Sequence, residues 1–122
     1  MILVDSSIWI DHLRATDARL SALLVRKEAV VHPFVLGELL LGMGANRPAL
    51  METFGDLPQA KVATRDEVLV LIDRHRLYGR GIGYVDAHLI ASALLMIEAR
   101  VWSRDRRLMT IAGELGIAAP VG

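Results

Sequence analysis

Short apolar runs alternate with longer amphipathic ones along this chain. "ILVD" (2–5) reads as a short buried strand ending on an acid, and "SSIWIDHLR" behind it spaces Ile8, Trp9 and Leu13 as a helix does. "TDARLSALLVRKE" gathers Leu20, Leu23 and Leu24 on one helical face, with Thr16 as its expected N-cap. "AVVH" is a second strand, stopped by Pro33, which opens the helix "PFVLGELLLGMG". "RPALMETFGDL" is a further helix and "AKVAT" a third strand. Thr64 and Glu67 then form a capping box for "TRDEVLVLIDRHRLYGRG". The glycine loop "GRGIG" precedes the most apolar helix, "YVDAHLIASALLMIEA". "RVWS" is a fourth strand, "RDRRLMTIAGELG" a helix and "IAAPV" a closing strand. This alternation predicts an α/β fold: a central, mostly parallel sheet of four to five strands with helices on both faces. With 122 residues, no repeat and no linker, a single domain over 1–122 is expected.

Composition removes several classes of chemistry. Cysteine is absent, which excludes disulfides, thiolate metal sites and a cysteine nucleophile. The longest apolar stretch, "LIASALLMI", is too short to cross a bilayer. Asp5 interrupts the first apolar run, so no signal peptide is expected and the anticipated location is cytoplasmic. Fourteen basic and fourteen acidic residues give zero net charge, yet all the basic residues but Lys27 and Lys61 are arginine. Arginine suits bidentate phosphate contacts. A neutral chain that binds a polyanion must draw on local patches or on metal ions.

Parallel sheets bind ligands beyond the carboxyl ends of their strands. Asp5 ends the first strand, and Asp105 follows the fourth by two residues. Asp86 lies in the first turn of the apolar helix, and Glu38 stands among leucines in "VLGELLLG". Each has a purely structural alternative. Asp5, Ser6 or Ser7 can cap a helix, as can Asp105, which can also pair with Arg104, Arg106 or Arg107. Asp86 can answer a helix dipole. Glu38 can share a polar strip with Gly37 and Gly42, although an unpaired charge amid leucines is costly. Glu52, Asp56, Asp66, Glu67 and Asp73 read as surface acids.

Four acids in the order Asp, Glu, Asp, Asp, set in "LVDSSIWI", "LGELLLG", "YVDAHLIASAL" and "WSRDRRL", resemble the PIN domain, a family of metal-dependent ribonucleases. The resemblance spans essentially the whole chain and is closest to the VapC branch, the toxins of bacterial toxin–antitoxin pairs. It implies a PIN-like three-layer sandwich and an acidic site at Asp5, Glu38, Asp86 and Asp105. Ser6 or Ser7 and Ser103 would be the supporting hydroxyls, where many relatives carry threonine at Ser6 and Ser103. It further implies Mg²⁺ or Mn²⁺, an RNA substrate, a homodimer and a VapB-like antitoxin that blocks the groove. Carboxylates suit hard divalent cations, and such ions activate water and neutralise phosphate. Arg80, Arg104, Arg106 and Arg107 are candidate phosphate contacts, with a solvated helix face as the plain alternative.

Other readings fit less well. A histidine acid–base pair would have to come from His12, His32, His75 and His88, none of which stands in an obvious catalytic setting. A phosphotransfer receiver needs a lysine near its last strand, and neither Lys27 nor Lys61 is there. A haloacid-dehalogenase-like phosphatase needs an acid where Ser7 stands. A housekeeping PIN nuclease for RNA processing and a non-catalytic interaction module remain as alternatives. The compact chain favours the toxin.

Overall fold

The computed structural model describes residues 1–42 and 47–120. The elements in chain order are β1 (Ile2–Val4), α1 (Ser6–Arg14), α2 (Ala18–Val25), β2 (Ala29–Val30), α3 (Pro33–Gly42), α4 (Arg47–Gly55), α5 (Arg65–Arg74), α6 (Tyr84–Leu95), β3 (Arg100–Trp102) and α7 (Arg106–Glu114). The predicted extension of the third helix to residue 44 lies outside the described residues.

The sheet is parallel, in the order β2-β1-β3. Leu3 and Val4 point to opposite faces of the central strand, and both are fully buried, so helices cover both faces. Among the described residues the sheet has three strands rather than the four to five expected. The third candidate, "AKVAT", forms no strand, only Gln59 just before it bridging Val31; the fifth, "IAAPV", bridges through Ala118 to Val101, and its Val121 lies outside the described residues. Pro58 and Pro120, beside these bridges, lack the N–H that a longer ladder needs. The order of segments across the sheet is nevertheless that of a five-position α/β layer.

Helix starts follow local chemistry. Thr64 and Glu67 form the expected capping box, with Thr64 N–H to Glu67 at 2.8 Å and Glu67 N–H to Thr64 Oγ1 at 3.1 Å. The second helix is capped by Asp17 and not by Thr16: its carboxylate accepts from the N–H groups of Arg19 and Leu20. Helix ends come earlier than periodicity predicts. Lys27 and Arg76 take left-handed backbone (φ 55° and 52°), and the bonds Glu28 N–H to Leu23 and Leu77 N–H to Ile72 close a Schellman-type stop. Helix α6 stops at Leu95, short of the predicted Ala99, so that Ala99 can lead into β3.

The core lies between sheet and helices, with Trp9, Trp102, Phe54 and Leu108 among its largest buried side chains. Helix α6 is buried from Ala87 to Ala93, which explains its apolar sequence. Its N-terminus therefore lies fixed against the sheet, and Asp86 with it.

Candidate active site

Asp5 ends the central strand and is the best-anchored acid. Its residue is buried, and its backbone N–H donates to the Trp102 carbonyl at 3.0 Å. Ser103 Oγ and Ser7 Oγ both donate to Asp5 Oδ2, at 2.7 and 2.9 Å. Each hydroxyl in turn accepts a backbone N–H from the loop after β3: Asp105 N–H to Ser103 Oγ and Arg104 N–H to Ser7 Oγ, both 3.0 Å. With both hydroxyl protons spent on Oδ2, Oδ1 carries only a long 3.5 Å contact from Ser6. One carboxylate oxygen is thus locked and the other is only lightly bonded.

Asp105 is the N-cap of α7, its Oδ1 accepting from Arg107 and Leu108 N–H at 2.9 and 3.0 Å. Its structural alternative is therefore realised, and the same carboxylate faces Asp86 closely enough to act on it. Burial pushes the Asp86 carboxyl above its ordinary range. The Gly83 N–H, bonded to Oδ2 at 3.0 Å, opposes this, and the charges of Asp5 and Asp105 add to it. Glu38 lies on the exposed rim of α3. Its carboxyl is also pushed up, first by partial burial, then by the charge of Asp5 and, less, of Asp86, with the Ser6 hydroxyl opposing. Four acids from four segments thus share one electrostatic field. Among the described residues, no three of them are gathered tightly enough to chelate one ion as the side chains stand. In chemistry the set fits a hard dication: all donors are oxygen, and mutual repulsion is what a cation would relieve.

The arginines divide. Arg80 forms a two-point ion pair with Glu114 at 2.7 and 2.8 Å, strapping the glycine loop to α7. Arg104 lies 5.7 Å over the Trp102 ring and grips Asp11 and Asp17 at 3.0 and 3.2 Å. Arg107 packs over Gly81, whose φ of +82° favours glycine, and a Cβ there would also force the Arg107 side chain to move. Arg106 is exposed in the first turn of α7. Two of the four candidate phosphate contacts, Arg80 and Arg104, are therefore already engaged with carboxylates.

The histidines make no acid–base pair at the groove. His12 Nδ1 accepts from Asp17 N–H, and His75 caps α5. His32 and His88 are buried, and burial, with His88 beside it, lowers His32 to about 4. They belong to a ring cluster that sequence reading missed. Phe34 and Tyr84 meet His88 edge-on at 4.6 and 4.8 Å, and both are partly exposed. Part of the signal lies in the spacing, since Tyr84 precedes His88 by one helical turn, whereas Phe34 reaches His88 only through the fold.

Comparison with known proteins identifies the family. The family model described as "PIN domain" matches residues 2–114. Ribonuclease VapC32 of Mycobacterium tuberculosis, in strains CDC 1551 / Oshkosh and ATCC 25618 / H37Rv, is 51% identical over 118 residues, covering 97% of this chain and 95% of the relative. Among solved structures, FitAcB from Neisseria gonorrhoeae superposes with a TM-score of 0.64 at 18% identity, over 93% of this chain and 94% of that one, a likeness of fold. The family model and the relative each cover most of the sequence, and the chain belongs to the PIN domain family.

Proposed function

We propose that this protein is a metal-dependent endoribonuclease of the VapC type, the toxin of a toxin–antitoxin pair. The observation that carries the reading is the shared field of Asp5, Glu38, Asp86 and Asp105, in which the Glu38 and Asp86 carboxyls are both pushed up, first by burial and then by their acidic neighbours. The 51% identity to a ribonuclease supports RNA as substrate and a VapB-like antitoxin as partner.

Asp5 and Asp86 would hold the principal Mg²⁺ or Mn²⁺, with Glu38 and Asp105 completing the acidic set. A bound dication supplies a lower water pKa and neutralises the phosphate. The protein's own part is positional. Ser7 and Ser103 hold Asp5 Oδ2 and leave Oδ1 for the metal, and the Gly83 amide fixes Asp86. The raised affinity of the Glu38 carboxylate for protons suits it to take one from an attacking water. Arg106 and Arg107 flank the site and are left to contact RNA phosphates. Leu41 on α3 and Leu69 and Val70 on α5 are exposed, which supports a homodimer through these helices.

Purified protein should cleave structured RNA in Mg²⁺ or Mn²⁺ and not in EDTA. Its expression should arrest bacterial growth, and Asp5→Asn should relieve the arrest at equal soluble levels. Undiminished cleavage in EDTA would overturn the metal reading. A toxic Asp5→Asn variant would overturn the site assignment. An RNA-processing role without an antitoxin would show as cleavage without growth arrest.

A further inference from the structure

Beside the acid groove, the loop before α6 and the end of α5 enclose a cavity of about 200 Å³. Its apolar lining includes Leu77, Ile82 and Ala87, and its rim carries Tyr78 and Tyr84. These are the only tyrosines in the chain, and they are 62% and 48% exposed. Gly83 also lines the cavity, and its amide is the one that holds Asp86 Oδ2 at 3.0 Å. The cavity and the acid site therefore share a wall.

We propose that this cavity receives one unpaired nucleobase of the RNA, next to the phosphate addressed by the acids. The proposal rests on the nuclease reading above and names the part of the substrate bound there. Size is the first argument. A pocket for a drug-sized ligand measures roughly 300–1,000 Å³, so this cavity suits a single flat ring system and not a whole nucleotide or a helix. Chemistry is the second. Exposed aromatic rings are the usual platform for unpaired bases, because every base offers a π-face. Preorganisation is the third. The Tyr84 ring is held by an edge contact to His88 at 4.8 Å, and His88 is itself buried against Phe34. A ring fixed before binding loses little freedom when a base stacks on it. The fourth is access. Gly79 sits in the lining at φ +71° with open space where a side chain would be, so backbone can approach a base edge closely.

The test uses single-stranded oligoribonucleotides with one 2-aminopurine placed at successive positions. Binding is read by fluorescence in EDTA and cleavage by rate in Mg²⁺. The parent protein should quench one position strongly. Tyr84→Ala should lose that quench and raise KM about tenfold with kcat little changed, since stacking on an aromatic side chain is uniform binding. Tyr84→Phe should keep both, and Tyr78→Ala should show a smaller loss. A parent that cleaves but quenches at no position, or a Tyr84→Ala protein with the parent's KM, overturns the base subsite and leaves the nuclease reading standing. Quenching without cleavage in Mg²⁺ overturns the nuclease reading and supports the subsite. Neither quenching nor cleavage overturns both.

Discussion

Asp5 and Asp105, on the strand side of the groove, spend carboxylate oxygens on O–H and N–H donors: two serine hydroxyls for Asp5, two helix amides for Asp105. Glu38 and Asp86, on the helix side, are held high by burial and by the charges across the groove, with the Ser6 hydroxyl and the Gly83 amide opposing. Hydrogen bonds to a carboxylate favour its charged form, while like charges and burial disfavour it. One half of the groove is thus fixed and ready, and the other half stores repulsion that a cation can release. The difference assigns different failures to the two sides. Loosening the strand side should cost affinity and rate through lost position, whereas neutralising the helix side should cost function while relieving strain.

The largest effect should follow from breaking the fixed half. Ser103→Ala frees Asp5 Oδ2 from its shortest donor and leaves the Asp105 N–H without its acceptor. Losing an outer hydrogen bond of this kind typically costs about 10- to 100-fold in metal affinity or activity. Ser103→Ala should lower kcat/KM and weaken Mn²⁺ binding, followed by electron paramagnetic resonance, by at least about tenfold. Ser103→Thr should retain most of both. Ser6→Ala, whose contact to Asp5 is 3.5 Å, should do much less. Equal losses from Ser6→Ala and Ser103→Ala would erase the distinction drawn between the locked and the lightly bonded oxygen.

A smaller effect concerns Arg104, which sequence alone grouped with the phosphate contacts. Its guanidinium spans Asp11 and Asp17, and its backbone N–H holds Ser7. It therefore fastens the loop after β3 to α1 and α2 and belongs with the fixed half. The two ion pairs are partly exposed, so each is worth little alone. Arg104→Ala should reduce kcat several-fold and leave the salt dependence of RNA binding unchanged. Arg106→Ala should instead weaken binding and reduce the slope of log K against log salt by about one contact. A lower salt slope for Arg104→Ala would return that residue to the RNA.

These contrasts also mark what sequence could say. That Asp5, Glu38, Asp86 and Asp105 lie within reach of one another's charge was legible because the acids stand at a strand end, at helix starts and within an apolar helix sequence. The capping box at Thr64 and Glu67 was legible because it is local. The partners of Arg80 and Arg104 were not, since Glu114, Asp11 and Asp17 lie far away in sequence and only the fold brings them near. The ends of α2 and α5 were missed for a related reason. Lys27 and Arg76 occupy left-handed positions usually given to glycine, so composition carried no stop signal. The size of the sheet was not legible because "AKVAT" and "IAAPV" have strand-like composition, while only single bridges form there, at Gln59 just before the first and at Ala118 in the second, each close to a proline.

The smallest effect probes the strained half directly, and its sign is what matters. Asp86 both caps α6, through Gly83 N–H, and suffers the charges of Asp5 and Asp105. Asp86→Ala would remove the cap together with the charge, so the two effects would oppose each other. Asp86→Asn keeps an oxygen for the Gly83 amide and removes only the charge, which makes it the cleaner substitution. The folded-state pKa of Asp86 is raised, so the native protein binds more protons there than the unfolded chain as pH falls toward the carboxylate range. The penalty on the parent is thus fully present at neutral pH and disappears once Asp86 is protonated. In EDTA at neutral pH, Asp86→Asn should melt slightly above the parent, and this margin should shrink as pH is lowered through the carboxylate range. In millimolar Mg²⁺ the order should reverse, because only the parent keeps the full acidic set and a ligand specific to the native state raises its melting temperature. Melting curves at two pH values, with and without Mg²⁺, give all four comparisons. A variant that melts well below the parent in EDTA, with an undiminished Mg²⁺ response, would make Asp86 a cap alone and move the strain in the groove to Glu38.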